Sequence, residues 1–224
     1  MEKQNTQQPE AINIEEVVGK SEAFINKYKM QIVMAIAAIV VIVVGSMMYQ
    51  TYVSEPRTKE ASEAIFQAQN YFAAQEYEKA LNGDDQGNMG FIQIADEFSG
   101  TPSGNVANAY AGLALAQSGR YEEAIPYLKA FDGSDKMVAP GVLGALGNCY
   151  ANTGDLSAAV SKFIEAAKVA DNNTVSPYCL MQAGLIYEKQ GNKTEALKVY
   201  TQIKEKYFAS VQAESIDKYI NRVK

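Results

Sequence analysis

Small and large apolar residues recur at a fixed spacing three times in the second half of the chain. Each copy begins with Gly and has an apolar or aromatic residue three positions later, a second Gly after four more, an Ala after five and a large apolar residue after four. The copies are Gly112, Leu115, Gly119, Ala124 and Leu128; Gly147, Tyr150, Gly154, Ala159 and Phe163; and Gly184, Tyr187, Gly191, Ala196 and Tyr200. Because this periodicity suits helices and a Gly can end a helix without a Cβ clash, each copy predicts two helices joined by a glycine turn. We expect the leading Gly and the Ala where the two helices cross.

The motif resembles the tetratricopeptide (TPR) repeat, which recurs in arrays at about 34 residues. The three copies start at Asn105, Pro140 and Pro177, which are 35 and 37 residues apart. The resemblance covers residues 105–203 and implies an all-α solenoid of stacked helical pairs. The proline that the family carries near the end of each repeat is missing from all three copies, which leaves the loop geometry open but not the fold.

An uncharged run over residues 30–48 precedes the repeats. Its roughly 19 residues, at about 1.5 Å per helical residue, match the ~30 Å of hydrocarbon in a bilayer. Tyr28, Tyr49 and Tyr52 flank the run, as is common at membrane interfaces. A cleaved signal peptide has a shorter leader and a shorter apolar core, so we predict an uncleaved transmembrane helix over residues 30–49.

Residues 1–29 are predicted to be a cytoplasmic polar tail with a short amphipathic helix at the membrane surface, although a simple polar lead-in explains them equally well. The apolar residues of that helix would be Ile14, Val17, Val18, Phe24 and Ile25. Positive charge near the span is slightly greater before it, at Lys20, Lys27 and Lys29, than after it, at Arg57 and Lys59. This bias favours a cytoplasmic N-terminus and exported repeats.

The remaining segments complete the predicted solenoid. Residues 50–104 are predicted to form a linker helix, with Ser54 as its N-cap, and a degenerate first repeat interrupted by an insertion at residues 82–88. Residues 105–224 hold the three clear repeats and a final helix that caps the array. The apolar residues of that final helix are Val211, Ile216, Tyr219, Ile220 and Val223.

Composition narrows the function by exclusion. The net charge is −6 and no basic patch occurs, so a nucleic-acid partner is not expected. The chain has no His, which excludes a His-based catalytic triad or zinc site. Cys149 and Cys179 are too few for a zinc cluster and, in parallel first helices, would lie roughly 10 Å apart, beyond disulfide reach, so we interpret both as small buried hydrophobes. We therefore predict no catalytic residue, no cofactor, no metal site and no enzymatic activity.

The first helix of each pair lines the concave surface of TPR arrays, so the resemblance implies a groove along the three first helices here. Its residues are mostly small and apolar with a few amides, which suits a protein or peptide partner. The predicted partner-binding residues are Leu113, Gln117, Asn148, Asn152, Tyr178, Met181, Leu185, Glu188 and Lys189. The alternative is that some of these residues contact the terminal helices instead. Because TPR faces also mediate self-association, a homo-oligomer stays open.

The order of polar tail, single span, linker helix and TPR array resembles bacterial inner-membrane proteins of the ancillary Sec-translocon type. That resemblance implies a scaffold in the periplasm that links the translocon or exported proteins to envelope chaperones. One alternative is a TPR protein that coordinates outer-membrane assembly or cell division, which residues 91–110 also resemble. A different class is a TPR-based glycan receptor, which would need exposed aromatic platforms for sugar rings.

Overall fold

The computed structural model describes residues 14–224, so residues 1–13 of the predicted polar tail lie outside the described residues. The described chain is all-α, without a strand, which confirms the predicted fold class. It divides into two compact units, one ending at Glu55 and the other running from Pro56 to Lys224.

The first unit consists mainly of one helix, α1, over Ile14–Tyr49. Within the described chain, this N-terminal helical stretch alone is long and apolar enough to cross a membrane, and its apolar side chains are exposed. Residues 14–29 belong to the same helix as the predicted span. The prediction of an amphipathic face rests mainly on the side chains of residues 14, 17, 18 and 25, which lie outside the described part.

A helix begins directly after Ser54, as predicted, but the residues before it are helical too, so Ser54 does not follow a break in the helix. Residues Gln50–Ser54 form a π-helical turn, in which the N–H of Glu55 donates to the carbonyl of Gln50, and α2 follows directly over Glu55–Ala73. A serine next to Glu-Pro therefore resembled an N-cap without being one.

The second unit is a series of antiparallel helical hairpins. In chain order after α2, its helices are α3 (Tyr77–Asn82), α4 (Phe91–Glu97), α5 (Pro102–Gln117), α6 (Tyr121–Ala130), α7 (Ala139–Thr153), α8 (Leu156–Ala170), α9 (Val175–Lys189), α10 (Lys193–Lys206), α11 (Val211–Glu214) and α12 (Ile216–Val223). The pairs α5/α6, α7/α8 and α9/α10 are the three predicted repeats, and each hairpin packs against the next. The arrangement is the predicted TPR-like solenoid.

The leading glycine of each repeat packs directly against the large residue sixteen positions later. A Cβ added to Gly112 would lie 2.5 Å from Leu128, one added to Gly147 would lie 3.0 Å from Phe163, and one added to Gly184 would lie 2.2 Å from Tyr200. The alanines at the crossing, Ala124, Ala159 and Ala196, are fully buried. The two helices of each hairpin therefore approach so closely that a side chain at the glycine would force the large residue opposite it to shift, least at Gly147 and most at Gly184.

The turns inside the hairpins confirm the predicted role of the second glycine. Gly119, Gly154 and Gly191 have φ of 76°, 91° and 74°, the left-handed region that L side chains rarely adopt. Each lies at or just beyond the end of a first helix, where such a residue terminates helical hydrogen bonding.

The hairpin formed by α2 and α3 carries the same signature in altered form. Ala68, Gln75 and Ala80 stand at the spacing of Gly112, Gly119 and Ala124. Ala68 and Ala80 are fully buried, and Gln75 takes the left-handed turn with φ of 61°. The predicted degenerate repeat thus keeps the helix–turn–helix geometry without either glycine.

The insertion in this first hairpin is ordered by Asp84, which stands where the other repeats have their large apolar residue. Tyr71 donates a hydrogen bond of 2.5 Å to Asp84, and the backbone N–H and side-chain amide of Asn88 donate to it at 3.0 and 2.7 Å. These hydrogen bonds, from Tyr71 first and Asn88 next, lower the pKa of the Asp84 carboxyl to about 2. The loop therefore replaces an apolar contact with a charged, hydrogen-bonded one, and α3 and α4 form on either side of it.

Buried side chains run through the whole second unit. One cluster is built from α2 to α7 and the other from α8 to α12, and Tyr150 packs against both. At the end of the chain Ile216, Ile220 and Val223 of α12 are buried and cover the last repeat, as predicted. Val211 is an exception, since it lies in the separate helix α11 and is exposed.

Candidate partner-binding surface

Charge is divided unequally between the two helices of each hairpin. The first helices α5 and α7 contain no Asp, Glu, Lys or Arg, and α9 has only Glu188 and Lys189 at its end. The second helices carry three charged residues in α6, three in α8 and six in α10. We call the outward faces of α5, α7 and α9 the first-helix surface, and it is almost uncharged.

Most of the predicted partner-binding residues lie on this surface with accessible side chains. Tyr178 and Leu185 are 43 % and 37 % exposed, which is high for large apolar residues on a helix packed between two neighbours. Gln117, Asn152 and Lys189 are exposed, and Leu113 and Asn148 are half-buried. The first-helix surface thus offers two large apolar side chains among amides, an arrangement that suits packing against another polypeptide.

Two of the predicted residues serve the protein's own structure instead. Met181 is 9 % exposed and belongs to the second buried cluster. Glu188 accepts a hydrogen bond of 2.6 Å from Tyr200 and a bidentate pair from Arg222 of α12, with Nη2–Oε1 and Nε–Oε2 distances of 2.8 and 2.7 Å. These two residues therefore follow the alternative considered for the sequence, in which groove positions contact neighbouring or terminal helices.

The environment of Glu188 fixes its charge. Partial burial alone would raise the pKa of this carboxyl, but the hydrogen bonds from Arg222 and Tyr200 outweigh it and lower the pKa below its usual value. The Arg222 guanidinium also lies over the Tyr219 ring, 4.8 Å from its centroid. Glu188 is consequently an ionised anchor for the last helix.

Four cavities in the described part of the chain lie away from the predicted residues. Their volumes are about 480, 490, 450 and 400 Å³, and none of the nine predicted residues lines any of them. The first-helix surface is thus not one of these pockets. An exposed surface of this kind suits a chain that lies along several helices better than a small ligand that needs enclosure.

The described residues offer little for catalysis. No group of three or more His, Cys, Asp or Glu among them could hold a metal ion. Cys149 and Cys179 are free and buried, and burial raises the pKa of each thiol to about 11. At neutral pH both remain protonated thiols, which are poor nucleophiles.

The hairpin α9/α10 decides which repeat family the array resembles. Residues 178–207 match the family model described as the tetratricopeptide repeat. This hairpin is therefore similar to a tetratricopeptide repeat. The matched TPR segment contains Gly184, Gly191, Ala196 and Tyr200, the residues that form the helix crossing and the turn. A search of the curated proteins finds no match to the chain.

The match over α9/α10 indicates a general role in protein–protein interaction. TPR units are scaffolds for protein–protein interaction and are generally non-catalytic. The hairpins α5/α6 and α7/α8 carry the same signature and the same crossing, so they extend this TPR geometry over residues beyond the matched segment. The first-helix surface is therefore the candidate site for a protein partner.

Proposed function

We propose that this protein is a single-pass membrane scaffold that binds polypeptide partners on its first-helix surface. The observation that supports it most is the absence of charge from α5 and α7, next to exposed Tyr178 and Leu185 on α9. Such a surface gains free energy by burying apolar area and by making hydrogen bonds through Gln117, Asn148 and Asn152. The chemistry favours partners with neutral, apolar segments.

The proposed location is the bacterial inner membrane, with the N-terminus in the cytoplasm and the TPR unit in the periplasm. Its support is the apolar helix α1, the small excess of lysine before the span, and the resemblance to ancillary translocon proteins. In that location the partners would be the Sec translocon or newly exported chains on one side and envelope chaperones on the other. The protein would act by holding these partners together, without chemistry of its own.

Reporter fusions test the topology. Alkaline phosphatase and green fluorescent protein are each fused after Lys224, because the end of the chain is exposed and the described fold stays intact. A periplasmic TPR unit predicts active phosphatase and dark fluorescent protein. Fluorescent cells with inactive phosphatase would overturn the proposed location.

Co-purification tests the partner class. The full chain is purified in mild detergent beside Leu185→Asp, which places a charge on the first-helix surface, and Ser161→Asp, which places the same charge on the exposed face of α8. We expect translocon subunits, exported chains or chaperones with the natural chain and Ser161→Asp, and their loss with Leu185→Asp. Recovery of only division or outer-membrane assembly proteins would favour that alternative, and equal recovery with both variants would contradict binding at this surface.

A further inference from the structure

The two edges of the hairpin array differ in chemistry. The turn edge is formed by the turns inside each hairpin, and the loop edge is formed by the loops that join one hairpin to the next. The start of α2 belongs to the loop edge, because Arg57 donates a hydrogen bond of 2.7 Å to the carbonyl of Glu97 at the end of α4. Further along the same edge, the side chain of Asn105 bonds both backbone groups of Asp132, which follows α6.

Exposed large apolar side chains of the second unit are concentrated on the loop edge. Of the exposed large apolar side chains that the structure describes in this unit, four lie on the loop edge, two on α9, one on α2 and none on the turn edge. The four are Met137 and Val138, before α7, and Phe208 and Val211, after α10. Met137 is 89 % exposed, Phe208 is 76 % exposed and Val211 is 75 % exposed.

The exposure of these residues is fixed by their surroundings. Asp135 accepts hydrogen bonds from the N–H groups of Met137 and Val138 at 2.8 and 2.6 Å, which holds that loop in one conformation. Phe208 is flanked by Tyr207 and Ser210, which are both buried, and the turn between them is closed by a backbone hydrogen bond of 2.9 Å. Each loop therefore turns an apolar side chain outward while its neighbours are held inside.

The loop edge is also where the chain arrives from the predicted span. Tyr49 ends α1 and Pro56 opens the second unit, and every residue between them is helical. Seven residues at about 1.5 Å each give roughly 10 Å along the chain. A headgroup layer occupies roughly 5–7 Å outside each face of the hydrocarbon. If α1 spans the bilayer as proposed above, the short connection keeps the start of α2 within reach of that layer.

We propose that the loop edge rests on the surface of the bilayer that holds α1, with Met137, Phe208 and Val211 inserted among the lipid headgroups. Burial of large apolar side chains at the interface stabilises such contact, and a helix that spans the membrane removes most of the entropic cost of bringing the surface close. Charge contributes little, because Lys206 pairs with Asp171 at 2.6 Å and the same loop sequence that carries Lys136 also carries Asp132 and Asp135. The contact would therefore form on uncharged lipids as well. It needs the anchor but does not depend on the protein partner.

The absence of tryptophan from the chain allows a direct test. Full-length Phe208→Trp, Met137→Trp and Gln190→Trp are reconstituted into phosphatidylcholine vesicles, with or without lipid that carries bromine on its acyl chains. Gln190 is an exposed residue of the turn edge and serves as the matched control. We expect brominated lipid to quench the indole emission of Phe208→Trp and Met137→Trp several-fold more than that of Gln190→Trp.

The comparison decides the proposal in either direction. All three substitutions fall on exposed positions, and circular dichroism checks that each variant keeps its helical content. Quenching of Phe208→Trp or Met137→Trp no stronger than that of Gln190→Trp would overturn the proposal, since that loop would then lie in water or against protein. Strong quenching of both would establish contact with lipid whether or not a protein binds the first-helix surface.

Discussion

Substitution of Gly184 by Ala tests how these hairpins close. The added Cβ would lie 2.2 Å from Cε1 of Tyr200, whereas carbon atoms in contact are about 3.5–4.0 Å apart. The Tyr200 ring is fully buried and its hydroxyl is held by Glu188, so the ring has little freedom to move. Overpacking of this kind costs up to about 3 kcal/mol, and alanine returns about 1 kcal/mol of helix propensity.

The net expectation is a loss of about 1–2 kcal/mol in the free energy of unfolding, or roughly 2–8 °C in Tm for a unit of this size. Thermal unfolding of the full chain in detergent micelles, followed by circular dichroism at 222 nm, measures it. Gly141→Ala is the matched control, because Gly141 also lies in a first helix but an added Cβ would meet nothing within 4 Å. That control should gain stability by up to about 1 kcal/mol through helix propensity alone.

The same Gly184→Ala substitution in a protein that also carries Tyr200→Leu separates the steric clash from the change in helix propensity. Tyr200→Leu replaces the rigid ring with the residue type found at the same place in the first clear repeat, Leu128. In that background the cost of Gly184→Ala should shrink, because a flexible side chain can move aside. Equal stability changes for Gly141→Ala and Gly184→Ala, or an unchanged cost with Tyr200→Leu, would refute the close-crossing explanation.

Three further perturbations test the first repeat and the last helix. Gln75→Gly should raise Tm, because relief of about 1–2 kcal/mol of left-handed strain exceeds the roughly 0.5–1 kcal/mol entropic cost of glycine; a lower Tm would argue against strain at this turn. Asp84 has a lowered pKa in the folded state, so its stabilisation is present above about pH 4 and is lost as the pH falls towards 2. In Asp84→Asn the free energy of unfolding, measured by urea titration, should therefore fall less between about pH 4 and pH 2. An unchanged dependence on pH would contradict stabilisation of the ionised Asp84 by Tyr71. Arg222→Ala should lower Tm at neutral pH and flatten the acid-induced loss of stability, because Glu188 would then feel mainly burial, which raises its pKa, and a carboxyl with a raised folded-state pKa loses no stability on protonation; an unchanged pH profile would mean that the pair does not anchor α12.

Much of the fold follows from local sequence because each hairpin contacts mainly its neighbours. The glycine, the alanine and the large residue of each repeat lie within seventeen residues of one another, so their spacing alone predicts the crossing and the turn. The first repeat was harder to resolve because Ala68, Gln75 and Asp84 replace the residues that make the motif visible. Ser54 misled for a similar reason, since a π-helical turn before Pro56 leaves no mark that distinguishes it from a helix start.

The sequence predicts a candidate site residue correctly where its position in the repeat alone determines whether its side chain is exposed. Tyr178 and Leu185 are exposed on α9 as the repeat positions imply. The sequence does not show that Met181 and Glu188 serve the protein's own structure instead of a partner. Glu188 is paired with Arg222, which lies 34 positions away on a helix outside the motif. The unequal charge of first and second helices can be counted from the sequence once the helix boundaries are known.

Site-specific photo-crosslinking in living cells tests the central claim most directly. A benzophenone amino acid is introduced into the full chain in place of Leu185 on α9 or Ser161 on the exposed face of α8. The account predicts that irradiation attaches a protein partner at Leu185 with much greater yield than at Ser161. Equal yields at the two positions, or capture at Ser161 alone, would contradict binding by the uncharged first helices.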